Sequence, residues 1–152
     1  MEEAPVPEDR IRELKLDDYD RLLALWQRAG LRSLKPQGRD GREALTEQLA
    51  SGVQTIIGLE VDGQLVGAVT ASHDSRKGWI NRLAVDPTCR RRGYGAWLIA
   101  AAEEVLREQG IRVIAALVES DNTGSLALFR KVGYLDAGES IHYLSKRESS
   151  DA

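Results

Sequence analysis

The chain has 152 residues, 42% of them hydrophobic and 30% charged, which is enough for one globular core and too little for several domains. A formal net charge of −3 sets aside a broad polyanion-binding surface, so no general nucleic-acid partner is expected. Cys89 is the only cysteine, which excludes an intrachain disulfide, and the lack of an apolar signal core or membrane-length run points to a cytoplasmic protein with no membrane partner.

In chain order, a polar tail over 1–9 precedes a strand at Ile11–Leu14. Leu22, Leu23, Leu25 and Trp26 mark an amphipathic helix that Gly30 interrupts, and Glu43–Leu49 forms a second short helix between Gly41 and Gly52. Gln54–Val61 and Gln64–Ala71 read as a hairpin turning at Asp62-Gly63. Trp79–Val85 is a buried strand stopped by Asp86 and Pro87, since proline has no backbone donor to continue a ladder. Helical spacing then runs from Ala96 to Gln109, with Leu98, Ala102, Val105 and Leu106 on one face and Gly110 as its stop. Arg112–Val118 supplies another strand, Ser125–Val132 a helix, and Ile141–Leu144 an edge or return strand before a polar tail at 147–152. This order predicts an α/β domain over 10–146, with helices covering a mixed central sheet and a ligand crevice at adjacent strand ends.

The run Arg90-Arg91-Arg92-Gly93-Tyr94-Gly95 lies between the buried strand and the long helix. Glycines allow close backbone approach, a helix start presents unpaired N–H groups, and arginines add charge-assisted contacts, so the run suits a phosphate-rich ligand. The competing reading is an ordinary loop with a solvent-facing basic rim. A dinucleotide fingerprint is disfavoured because no third glycine follows Gly95 at the expected spacing, and a Walker loop because no Lys-Ser or Lys-Thr pair follows the glycines.

Leu83–Gly95, together with Asn122–Tyr134, resembles the GNAT family of acetyl-CoA-dependent N-acetyltransferases, and the wider element order extends that resemblance over roughly residues 11–146. The resemblance implies that acetyl-coenzyme A is the cofactor and that backbone donors near Arg91 to Ala96 hold its pyrophosphate. It implies that Arg90, Arg91, Arg92, Gly93, Tyr94, Gly95 and Ala96 form the cradle. Leu83, Ala84 and Val85 would guide the pantetheine arm and orient the acetyl carbonyl through peptide groups. Asn122 matches a position that supports the pantetheine arm, although its short side chain can equally cap the following helix. Phe129 stands where the family often has a tyrosine acting as general acid. It has no ionisable hydroxyl, so its role is cofactor contact or packing.

Acetyl transfer from a thioester to an amine requires orientation and proton management more than a metal, and His73, Cys89 and His142 are too scattered to suggest one. Glu119, just beyond a strand, is the candidate to orient the amine or accept its proton, with an exposed strand-end charge as the alternative. Tyr134 is the candidate acid, with an aromatic packing role as its alternative; His142 and Tyr143 are weaker candidates. Cys89 reads as a loop residue rather than a nucleophile. Trp79, Asn81 and Arg82 are candidates to line the approach of the acceptor, with packing as the alternative for Trp79 and a surface charge for Arg82. The acceptor is an amine, either a small molecule or a protein amino group, and a homodimer is left open. A noncatalytic acyl-coenzyme-A-binding module is the different-class alternative, made serious by Phe129.

Overall fold

Asp62 and Gly63 both adopt left-handed φ, 52° and 77°, and so build the tight turn that the right-handed twist of two paired strands favours. The hairpin they close is the middle of the sheet. The computed structural model describes residues 10–136, 138 and 141–152. Its elements are β1 (Ile11–Glu13), α1 (Tyr19–Arg28), α2 (Arg42–Ala50), β2 (Gln54–Val61), β3 (Gln64–His73), β4 (Gly78–Val85), α3 (Tyr94–Glu108), β5 (Ile114–Ala116) and α4 (Thr123–Lys131). The sheet runs β1-β2-β3-β4-β5, with three antiparallel pairings and a final parallel one between β4 and β5. The mixed α/β sheet expected from the element order is therefore present.

Each face of the sheet buries its own core. Ile57, Leu59, Val66, Val69 and Ile80 pack with Leu98, Ile99, Ala102 and Leu106 of α3. On the opposite face Ile56, Leu65, Ala68 and Ala84 pack with Leu22, Leu25 and Trp26 of α1 and with Leu45 of α2. Burial on both faces explains why β2 and β3 read as nearly continuous apolar runs rather than as alternating ones. In α1 the spacing of Leu22, Leu25 and Trp26 places all three on one stripe, and each is at most 2% exposed.

Two stretches differ from expectation. The strand predicted over Arg112–Val118 shrinks to Ile114–Ala116, because only those residues pair with β4. Ile141–Leu144 forms no strand, and Ile141, Tyr143 and Leu144 are 82%, 77% and 89% exposed. A three-residue β5 offers too short a ladder to hold a four-residue neighbour. At the far end, Lys35 Nζ donates to the Ser150 carbonyl at 2.8 Å and Arg39 Nη1 to that of Ala152 at 3.0 Å, so this tail rests on the loop after α1. The tail at 1–9 lies outside the described residues.

Arg12 of β1 ties three elements together by donating to Asp18 at 2.7 Å and to Glu60 of β2 at 2.8 Å, while Arg21 of α1 donates to the same two carboxylates. The Arg12 guanidinium holds the Asp18 carboxyl well below the usual carboxylate range; burial opposes this, and the Lys15 N–H and Arg21 add to it. With the folded pKa depressed, the contribution is complete above the unfolded value of about 4 and is lost as pH falls further toward the folded one. Asp18→Asn should cost about 2 kcal/mol at neutral pH. Urea unfolding should show that penalty shrinking as pH falls below about 4.

Candidate active site

The site begins with a failure of pairing. β4 and β5 run parallel through Gly78–Ile114, Trp79–Ala115 and Ile80–Ala116, and their register ends there, although β4 continues to Val85 alongside β3. Beyond Ile80 that edge of β4 has no strand beside it among the described residues. The Asp86 N–H donates to Val66 at 2.8 Å, toward β3. Donor direction alternates along a strand, so Ala84 also faces β3, whereas the Leu83 and Val85 N–H groups face the opening. The positions expected to present backbone donors are thus the ones turned into a gap at the carboxyl ends of two parallel strands, the usual place for a ligand crevice. Their side chains do other work. Leu83 and Val85 pack toward α3, and Ala84 is buried on the α1 face.

A bulge lies at the same point. Thr70 faces Asn81 and Ala68 faces Ala84, so β4 spends one more residue than β3 over this interval, and Arg82 takes a φ of 51°. The extra residue turns Asn81 and Arg82 toward the α1 face together, while Ile80 and Leu83 both stay with the α3 core.

Below the gap, Pro87–Cys89 makes one 3-10 turn capped by Asp86, whose Oδ1 accepts from the Thr88 N–H at 2.9 Å. Arg28 pins Asp86 from α1 at 3.0 Å. Arg91 and Gly93 then take φ values of 64° and 82°, and Gly93 serves as the N-cap of α3. Tyr94, Gly95 and Ala96 form the first turn, with unpaired N–H groups and the positive end of the helix dipole directed at the loop. Arg90, Arg91 and Arg92 are exposed and donate no side-chain hydrogen bond among the described residues, so the three cations are free to meet an anion. Gly95 is needed for space rather than for conformation, since a Cβ there would lie 2.7 Å from Leu128 Cδ2. It is one point where α3 and α4 touch.

Asn122 caps α4, its Oδ1 accepting from the Ser125 N–H at 3.2 Å. Phe129 is buried against the α3 core and meets Tyr134 edge-on at 5.0 Å. The Tyr134 hydroxyl donates to Glu103 Oε2 at 2.8 Å, and burial together with that bond pushes its pKa well above the ordinary phenol value. About 15 Å of helix separates Glu103 from Gly93. Glu119 is exposed and accepts from Arg32 Nη1 at 2.6 Å, with Asp121 on the same guanidinium. Glu119 and Tyr134 are thus each engaged by a partner of their own, Arg32 and Glu103. Cys89 is a half-buried free thiol, and His73 Nδ1 accepts from the Ser75 N–H. Exposed His142 and Tyr143 have no sheet to carry them to the site.

A cleft of about 280 Å³ opens on the α1 face beside the bulge, lined by Asn81 and Arg82 together with Trp26, Asp40 and Gln54. Arg82 Nη2 meets Asp40 Oδ1 at 2.8 Å and lies over the Trp26 ring at 5.4 Å. Asp40 is 5% exposed and also accepts from the Lys35 N–H at 2.7 Å. Trp79 does not line this cleft; it carries Lys77 over its ring instead.

Residues 9–134 match the model of the acetyltransferase (GNAT) family. The chain belongs to that family. An acetyltransferase of Photorhabdus laumondii is 31% identical over 137 residues, covering 90% of this chain and 94% of the relative. The mycothiol acetyltransferase of Clavibacter sepedonicus is 34% identical over 84% of this chain, which spans only 43% of that longer protein. In fold, the GNAT chain is similar to a PaiA N-acetyltransferase from Thermoplasma acidophilum solved with coenzyme A, with a TM-score of 0.71 at 20% identity over 81% of this chain and 87% of that one. The aminoglycoside 6'-N-acetyltransferase of Acinetobacter haemolyticus gives 0.76 at 22% identity, over 91% and 99% of the two chains.

Sequence reading missed Asp40 and treated Trp26 only as a packing residue of this GNAT domain. Asp40 lies in a loop between Gly38 and Gly41 with no periodic signal, and only the fold brings it to Arg82. The two cradle glycines give separable expectations. Gly93→Val forces a branched residue into left-handed φ, at about 1–2 kcal/mol, and should weaken coenzyme A binding. Gly95→Val should instead act by pushing Leu128 off α3, and truncation with Leu128→Ala should recover part of its stability but none for Gly93→Val. Calorimetric titration with coenzyme A, paired with thermal unfolding, separates the two.

Proposed function

We propose that this acetyltransferase moves acetyl from acetyl-coenzyme A directly to an amine. The observation that supports it most is the gap after Ile80 and Ala116, with the Leu83 and Val85 N–H groups turned into it and the α3 start directly beyond. These features fit a long ligand with a carbonyl at one end and phosphates at the other. The helix start at Gly93–Ala96 and the Arg90–Arg92 cations would hold the pyrophosphate. When bound, acetyl-coenzyme A supplies an activated acyl group. The N–H donors in the gap stabilise negative charge developing on the carbonyl oxygen, a contribution that grows in the transition state.

As the amine nitrogen forms the new C–N bond, the C–S bond breaks, the nitrogen sheds a proton, and the departing sulfur takes one up. Phe129 has no proton to give, and Tyr134 holds its own against Glu103, so water is the donor that this arrangement favours. No covalent use of Cys89 is needed, since the amine attacks the thioester itself.

Purified chain with acetyl-coenzyme A and a panel of amines should release thiol in proportion to acetylated amine found by mass spectrometry. Coenzyme A binding with no acetylated product from any amine would favour the noncatalytic module instead. Tyr134→Phe should keep kcat within about twofold and leave the pH–rate profile in place, because the hydroxyl it removes is tied to Glu103 rather than poised near the working pH. A loss of a hundredfold would return Tyr134 to the chemistry.

A further inference from the structure

The cleft beside the bulge contains more donors than partners. The Arg82 side chain is half-buried, and Asp40 engages only its Nη2; Nε and Nη1 make no hydrogen bond among the described residues and are open to solvent or a ligand. Burial pushes the guanidinium below its ordinary value, Asp40 offsets only part of that, and nearby Arg39 adds like-charge repulsion. Trp26 is 2% exposed, and its indole Nε1–H has no partner among the described residues. The one carboxylate in the lining is already committed, since Asp40 accepts from Arg82 and from the Lys35 N–H. A ligand that complements this cleft brings hydrogen-bond acceptors, and preferably negative charge, because the buried indole N–H is costly unpaired and a guanidinium is shaped to grip a carboxylate with two N–H bonds.

Arg82 is one residue before Leu83, the first donor facing the gap. A group held at Arg82 is therefore held beside the acyl-transfer position. We infer that the cleft binds a carboxylate of the acceptor, so that the favoured acceptors are amines bearing an acid group a few bonds from the nitrogen. This rests on the proposed acetyl transfer, and it narrows the amine to an anionic class. A polycationic amine finds no free carboxylate in the cleft.

The test pairs amines that differ only in that acid group: β-alanine against β-alaninamide, and γ-aminobutyrate against its amide. In steady-state assays of the full chain with saturating acetyl-coenzyme A, each carboxylate should have a KM about tenfold or more below its amide. Arg82→Gln should raise KM for the carboxylates alone and abolish the difference, with coenzyme A affinity unchanged; Arg82→Lys should retain part of it. A second readout needs no turnover. In isotope-labelled protein, the indole N–H resonance lost in Trp26→Phe should shift on titration with γ-aminobutyrate and stay still with the amide, and Arg82→Gln should remove the shift. Equal use of the two members of each pair, or preference for the amides, overturns the inference while acetyl transfer stands. A selective, Arg82-dependent shift with no acetylated product from any amine supports the carboxylate site and overturns the transfer reading. The absence of both the shift and the carboxylate preference sinks the site.

Discussion

The parallel pairing of β4 and β5 stops after three residue pairs, and the site depends on that stop. A strand edge deprived of its neighbour carries unsatisfied N–H groups, which elsewhere would be a liability. Here the vacancy sits between the two sheet faces, with α3 and its Gly93 start on one side and the Arg82 bulge on the other. The bulge and the loss of pairing occur at neighbouring residues. Together they give β4 an outward row of donors toward the gap and two consecutive side chains toward the α1 face.

Each flank of the gap is braced from a distance. Arg28 of α1 holds Asp86, which caps the turn leading into the cradle, so the loop carrying Arg90–Arg92 is tied back to the helix that also supplies Trp26 to the cleft. On the other flank, Leu128 of α4 sits in the space left by Gly95, fixing the angle at which α3 presents its start. Asn122 begins that same helix by capping it. Its Oδ1 is occupied by the cap and its amide nitrogen makes no hydrogen bond among the described residues, so one side chain can serve both the helix and a ligand. Phe129 keeps α4 on the α3 core, which is a packing function that an aromatic ring performs without a hydroxyl.

Much of this was legible in the residues. The Asp62-Gly63 hairpin, the apolar stripe of α1 and the glycine-bearing start of α3 are local signals with local causes, and each appears within a residue or two of its expected position. The end of β5 was not legible, because Arg112–Val118 is apolar enough to be a full strand and only the divergence of its partner cuts it short. Ile141–Leu144 has the composition of a strand, but composition cannot supply a ladder to join. The Arg82–Asp40 pair joins residues 42 apart in sequence, and nothing near either one announces the other. The glycine- and arginine-bearing run is one continuous segment and so is visible in local pattern, whereas the cleft is assembled from α1, α2, one loop and three strands.

The composition of that cleft also bears on the proton that an amine must lose. An alkylamine near the lysine value of about 10 is neutral in only about one molecule in a thousand at pH 7, which amounts to roughly 4 kcal/mol. A dedicated base is one remedy, and the exposed Glu119 is occupied by Arg32. Placement among positive charges and N–H donors is another, since like charge and desolvation both disfavour the ammonium form. Arg82 and Arg39 supply that charge beside the cleft. On the proposed reading, a carboxylate at Arg82 anchors the acceptor at its acidic end while leaving its nitrogen in donor-rich surroundings. Binding and deprotonation then draw on the same positive charge, and the Phe129 side chain is free to be only a packing residue.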